Sequence, residues 1–213
     1  MEHFFLFLLK ATIAIFVILN PFGNVPVLFS LTPDLDKAGR RTVITKASAT
    51  ALFVLLLFAV TGQLVFDFFH ITIGAFRIAG GALLFVISIS MLWGEMPRSK
   101  ITESEKAAAR AKETVAVTPM GVPMIAGPGS IVTVISLMDQ AANWTERGAV
   151  LGAVPLAVVA GYLVLLTGSV LMSRVGEGGL RVMTRMMGLI LAVIAVQFMI
   201  NGIHDALPQI VGK

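Results

Sequence analysis

Two short runs hold residues whose types and spacing bear on chemistry. The first is Leu19-Asn20-Pro21-Phe22-Gly23-Asn24-Val25-Pro26, and the second is Val117-Thr118-Pro119-Met120-Gly121-Val122-Pro123 followed by Gly127-Pro128-Gly129-Ser130. Proline lacks a backbone donor and clashes with the preceding turn, while glycine lets the chain leave helical geometry. Each run therefore predicts a helix that stops and starts again. At such a break the first amides of the restarting half and the last carbonyls of the ending half lose their helical partners. Restarting amides, with Asn24 and Ser130 placed as N-caps, suit a carboxylate, and the carbonyls suit an ammonium group or a coupling cation. A small zwitterion fits a pair of such ends. The candidate contacts are Asn20, Pro21, Gly23 and Asn24 in the first run, and Thr118, Pro119, Gly121, Gly127, Pro128, Gly129 and Ser130 in the second. A plain kink explains either run alone, but two dense clusters at corresponding places favour a site.

Arg77 and Arg185 form a second constellation, each near the end of an apolar run. Two readings stand for them: contact with a ligand, or a side chain that snorkels to a polar interface. Other chemistries find little support. There is no cysteine, and His3, His70 and His204 lie far apart, so no thiolate or histidine metal cluster is expected. No nucleophile motif or acid-base cluster marks an enzyme. Asp67, Asp139 and Asp205 all fall near the ends of apolar runs. A proton relay through a deeply buried carboxylate is thus unsupported, a sodium site made of carbonyls stays open, and no cofactor is expected beyond a coupling Na+ or H+.

The elements that must position these residues are set by hydropathy. Of 213 residues, 57% are hydrophobic and 13% charged, and the mean hydropathy is +0.92, far above a soluble domain. Apolar runs long enough to cross a bilayer fall at 3–31, 42–69, 71–94, 114–138, 148–172 and 185–207. The first begins without a basic n-region or a cleavage pattern and is read as retained. The expected fold is all-α: a polytopic membrane protein of six transmembrane helices, with the first and fourth broken. The formal charge of +4 does not point to nucleic acid, because the basic residues sit in short loops. Lys37, Arg40, Arg41 and Lys46, then Arg98, Lys100, Lys106, Arg110 and Lys112, then Arg174 and Arg181 lie in alternate loops. The positive-inside rule puts those loops in the cytoplasm and both termini outside.

The chain also divides in two. Offset by 108 positions, Gly74 to Gly94 aligns without a gap on Val182 to Gly202, pairing Arg77 with Arg185, Gly80 with Gly188, Leu83 with Leu191, Met91 with Met199 and Gly94 with Gly202. Each half opens with one Pro/Gly-interrupted run. The expected organisation is a first three-helix repeat at 1–100, a charged cytoplasmic linker at 101–113 and a second repeat at 114–213. Three spans per half make the second repeat inverted.

The segments LNPFGNVP, VTPMGVPMIAGPGSI and RIAGGALLFVISISML resemble the MarC family of bacterial and archaeal inner-membrane proteins, and the resemblance covers nearly the whole chain. It implies a six-helix transporter related to the LysE-type exporters, moving small neutral amino acids such as glycine and alanine on an ion gradient. The family's name refers to multiple antibiotic resistance and implies no drug transport. The family signature falls on Asn20, Pro21, Gly23, Asn24 and Pro26, and on Thr118, Pro119, Gly121, Pro123, Gly127, Pro128, Gly129 and Ser130. The partners so implied are a small zwitterionic substrate and the lipid bilayer. A translocase for another small anionic or lipid-linked solute, or a membrane scaffold without transport, remain alternatives.

Overall fold

The structure is a computed structural model that describes residues 2–94 and 116–211, so the linker at 101–113 lies outside the described residues. Among the described residues every regular element is helical. Five helical stretches are long and apolar enough to cross a membrane: His3–Leu31, Lys37–Phe69, Ile73–Leu92, Trp144–Leu166 and Arg181–Leu207. Their outer faces carry exposed Phe53, Val60, Leu64, Phe68, Leu83 and Val193. A surface of that kind is stable against lipid and not against water.

The first span is two helices, α1 (Glu2–Leu19) and α2 (Pro21–Leu31). They are followed by α3 (Lys37–Phe69) and α4 (Ile73–Leu92). The run expected at 114–138 is a π-helical segment, Ala116–Ile125, followed by α5 (Pro128–Gln140). Neither piece reaches spanning length alone. Pro119 and Pro123 remove two helical donors here, and the Ala126 amide reaches back five residues to the Gly121 carbonyl at 2.9 Å. Then come α6 (Trp144–Leu166) and α7 (Gly168–Val211), the latter bent at Gly176, where φ is 68°.

Local sequence explains the starts. Asp36 caps α3 by accepting from the Gly39 amide at 2.8 Å, and Thr72 caps α4 through the Ala75 amide at 3.2 Å. Asn143 and Glu146 form a reciprocal box at the start of α6: Asn143 Oδ1 accepts from the Glu146 amide at 2.9 Å, and Glu146 Oε2 accepts from the Ala142 amide at 2.8 Å. Arg40 ties down the α2–α3 connection by donating to the carbonyls of Thr32 at 2.9 Å and Leu35 at 3.2 Å.

Packing then fixes the arrangement. The most extensive contact is between α4 and α7, while α1 packs on α6, and α3 packs on the π-helical segment, α5 and α6. Glycine makes the α4–α7 contact close. A Cβ on Gly74 would stand 2.8 Å from the Gly202 carbonyl oxygen, and one on Gly202 would stand 2.6 Å from that of Gly74. With no solvent effect to drive helices together inside a bilayer, such backbone proximity is a main source of cohesion. A larger apolar core formed by α1, α2, α3, α5, α6 and the π-helical segment includes Ile15, Leu28, Leu55, Met120 and Val154, and a second gathers Ile18, Leu84, Met91, Leu191 and Ala195.

Candidate functional site

At the first break, Asn20 adopts the left-handed conformation, with φ 48° and ψ 52°. Asparagine tolerates that region better than other non-glycine residues. Asn20 Oδ1 accepts from the Gly23 amide at 3.3 Å, and Nδ2 donates to Met91 Sδ on α4 at 3.3 Å. Asn20 is therefore the N-cap of α2, correcting the expectation that Asn24 caps it. Asn24 reaches backwards instead, and its Nδ2 donates to the Leu19 carbonyl at 3.0 Å.

The second break repeats that backward bond with different residues. Ser130 Oγ donates to the Ile125 carbonyl at 2.8 Å, while Gly127 occupies the N-cap in extended geometry with no side-chain capping bond. Ser130 is thus no cap either. In both breaks a buried polar side chain on the restarting helix holds the last carbonyl of the segment before it, five residues back. Those two carbonyls are not left bare, as the sequence suggested, but each keeps a second lone pair. Thr118, Pro119 and Gly121 belong to the π-helical segment.

The breaks meet at one small cavity of about 10 Å³, lined by Leu19, Pro21, Asn24, Ser48, Ile125, Val158, Gly161, Tyr162 and Leu165. That is space for about one water. The structure thus brings Pro21 and Asn24 from the first run to Ile125 at the end of the π-helical segment. Gly23 and Gly129 do not open onto it. A Cβ on Gly23 would stand 2.4 Å from Asn20 Nδ2 and 2.8 Å from Met91 Cε, and one on Gly129 would stand 2.3 Å from Leu84 Cδ2. Both glycines are occupied by packing against neighbouring side chains. The sequence reading missed Ser48, Gly161 and Tyr162, which sit in otherwise ordinary apolar stretches of α3 and α6.

A larger cavity, about 550 Å³, lies at the ends of α3, α4, α5 and α7, where Gln63, Asp67, Thr72, Arg77, Asp139 and Asp205 line it. Arg77 is buried, with 7% exposure, so it does not snorkel. Its Nη1 pairs with Asp205 Oδ2, its Nη2 with Asp139 Oδ2 at 3.3 Å, and its Nε donates to Ser136 Oγ at 3.2 Å. One guanidinium thereby joins α4 to α5 and α7. Arg185 differs: it is exposed, with its guanidinium beside Gly94 at the end of α4. An arginine placed one turn inside a span demands opposite charge at the same depth, which was the available signal for Asp139 and Asp205.

Of the two cavities, the larger holds a guanidinium already shared by two carboxylates, whereas the smaller joins both interrupted segments. Comparison with known proteins now bears on the assignment. The model for the MarC family integral membrane protein matches residues 5–207. The chain belongs to the MarC family. A UPF0056 membrane protein of Methanocaldococcus jannaschii is 43% identical over 194 residues, covering 91% of this chain and 94% of that protein. One from Aquifex aeolicus is 34% identical over 209 residues, 98% of each chain, and YvbG of Bacillus subtilis is 34% identical over 205 residues, 96% and 97% respectively. Their names say membrane protein and specify no substrate. No solved structure matches the chain. This MarC-family chain is therefore an integral membrane protein with several apolar spans.

Proposed function

We propose that the protein is a secondary active transporter of small neutral amino acids of the glycine and alanine type, coupled to a Na+ or H+ gradient, with the substrate held between the two interrupted segments. The carrying observation is the single cavity bordered by Leu19, Pro21 and Asn24 on one side and by Ile125 on the other. Irregular backbone at membrane depth is tolerated where protein or a watery cavity surrounds it, and paired interruptions mark substrate sites in transporters. At about 10 Å³ the cavity is narrower than any amino acid, so loading requires the π-helical segment and α5 to separate from α1 and α2.

The packing supports an inverted-repeat organisation of six membrane segments. Exchanging the halves carries the α1–α6 contact onto the contact of α3 with the π-helical segment and α5, and carries the α4–α7 contact onto itself. With three segments in each half, that exchange requires a two-fold axis in the membrane plane. The charge of the loops supports both termini outside a bacterial or archaeal cytoplasmic membrane. A translocase for an anionic solute gains nothing from Arg77, whose charge two aspartates already balance.

The test is uptake and exchange of a labelled amino-acid panel by purified protein in liposomes, with and without Na+ and H+ gradients. Saturable glycine or alanine uptake that one gradient accelerates is the expected result. Absence of uptake, exchange and competition for every small neutral amino acid overturns the assignment.

A further inference from the structure

The Arg77 ion pairs span the two halves of the chain. Arg77 belongs to α4 in the first half, whereas Ser136 and Asp139 belong to α5 and Asp205 to α7 in the second. One guanidinium thus holds two side chains of α5 and, through Asp205, α7 as well. α4 and α7 run antiparallel, with Gly74 against Gly202 at one end and Gly188 against Ser88 and Met91 at the other. Arg185, the counterpart of Arg77, lies at that other end. It is exposed and makes none of the ion pairs seen among the described residues.

The bridge also marks where the large cavity stops. Its lining on α4 runs inward from Ile73 to Arg77, and on α5 it includes Asp139. One turn deeper, α5 is wedged between two glycines: a Cβ on Gly62 of α3 would stand 2.8 Å from Ile135 Cγ1, and one on Gly80 of α4 would collide with Val132. Further in, Leu84 of α4 packs on Gly129 at the second break. From Arg77 to Leu84 is about 10 Å of helix at 1.5 Å per residue. A cavity of about 550 Å³, in the size range of small-molecule sites, therefore ends short of the breaks, with the guanidinium and the Val132 and Ile135 wedge between.

We propose that the Arg77 ion pairs are a latch on the path between the large cavity and the two breaks. Closed, as here, they hold α5 against α4 and α7. Opened, they let α5 move aside and join the cavity to the breaks. The inference rests on the transport reading for its purpose, since the small cavity admits no amino acid until α5 moves. Two features suit the network to opening. Both carboxylates are partly exposed, so water can take the place of the guanidinium when they part, which full burial would prevent. Beneath them, Ile135 and Val132 meet glycines and not interlocking side chains at these two contacts.

The chain has no cysteine, so one introduced thiol reports alone. Val132→Cys places it behind the bridge, at a position that is 1% exposed. Its labelling by a membrane-impermeant maleimide is followed on the full chain in lipid nanodiscs, well below the melting temperature and without substrate. With Arg77 intact the thiol should react slowly but completely, through transient opening. Arg77→Gln should speed the reaction roughly tenfold or more, because Asp67, Asp139 and Asp205 are then left around one cavity without their cation. Asp139→Asn, which frees one arm of α5 but leaves Arg77 on Asp205, should fall between. Ala153→Cys, in the core of α6 and untouched by the bridge, reports general loosening and should stay unreactive in every background. Equal Val132→Cys rates with and without Arg77 overturn the latch. So does complete protection with Arg77 intact, which makes the bridge a fixed tie, or parallel labelling at Ala153→Cys. Because no substrate enters the measurement, a thiol that responds to Arg77 in a chain without amino-acid uptake upholds the latch and fails the transport reading alone.

Discussion

The two halves of the chain share an arginine at corresponding positions and an interrupted segment at corresponding positions, yet the structure uses each pair differently. Arg77 is buried and joins three helices, whereas Arg185 is exposed beside the end of α4. The first break is held by a left-handed Asn20 whose side chain caps the next helix, and the second by an extended Gly127 with no side-chain cap. What the breaks do share is the backward bond, from Asn24 to Leu19 and from Ser130 to Ile125. The two breaks thus resemble each other more in this backward bond than in the roles of their other side chains. Role follows from what surrounds the residue at the end of the bundle where it lies.

Arg77→Met gives the largest expected effect. Methionine fills similar volume but leaves Asp139 and Asp205 facing each other, with side chains only 32% and 35% exposed. Breaking a buried pair costs about 3 kcal/mol at the lower end of its range, and the partial exposure of both carboxylates argues for that end. Denaturation in mixed micelles should show the loss, and adding Asp205→Asn should recover part of it. Full additivity of the two changes would mean that the ion pair is not energetically coupled.

Next comes Gly129→Ala, where the added methyl meets Leu84 Cδ2 at 2.3 Å and Cγ at 2.6 Å. Overpacking of this kind costs roughly 1–3 kcal/mol, so thermal stability should fall. Gly23→Ala should cost less, because two of its three nearest atoms belong to the Asn20 side chain and the third is the flexible Met91 methyl. Equal melting losses in the two variants would erase this difference between the breaks. At neither glycine is the space beside the backbone free: Leu84 of α4 fills it at Gly129, and Asn20 with Met91 of α4 fills it at Gly23.

Where the sequence was legible, backbone chemistry made it so. Pro21 and Gly23, or Pro119, Pro123 and Gly127, carry their effect on the chain in their own covalent structure, and hydropathy marks the apolar spans regardless of what packs against them. In the run at 114–138 the prolines and glycines announced a break, but not that the piece before it would be π-helical, since Pro119 and Pro123 mark lost donors and not the hydrogen-bond register that replaces them. Side-chain partners were harder to see. Asp139 and Asp205 lie 62 and 128 residues from Arg77, and only the folded bundle brings them together. Ser48 and Gly161 carry no signal in sequence, since serine and glycine inside membrane helices usually serve packing.

The Asn20 position separates cap from conformation. Asn20→Ala removes the acceptor for the Gly23 amide and places alanine at φ 48°; together these cost about 2 kcal/mol. Asn20→Gly keeps the left-handed geometry accessible and should cost only a few tenths of a kcal/mol. Melting curves of both variants check this ordering, and a glycine variant as unstable as the alanine one would shift the weight to the Asn20–Met91 contact.

The smallest effect is expected at Arg185, and its form matters more than its size. The Arg185 Nη2 lies 3.5 Å from where a Cβ of Gly94 would stand, just past the C-terminal end of α4. A cation there favours the carbonyl end of the helix by about 0.3–1 kcal/mol when exposed, a contribution that salt screens. Arg185→Gln should therefore lower stability by about 0.5 kcal/mol in low salt, and the loss should shrink as ionic strength rises. The loss in Arg77→Met should change proportionally less with salt, because the Arg77 guanidinium is itself buried while its partners are only partly exposed. Paired denaturation series at low and high ionic strength read this directly. A salt-independent loss of several kcal/mol at Arg185 would show that the two arginines share a buried structural role after all, and the distinction drawn between the halves would fall.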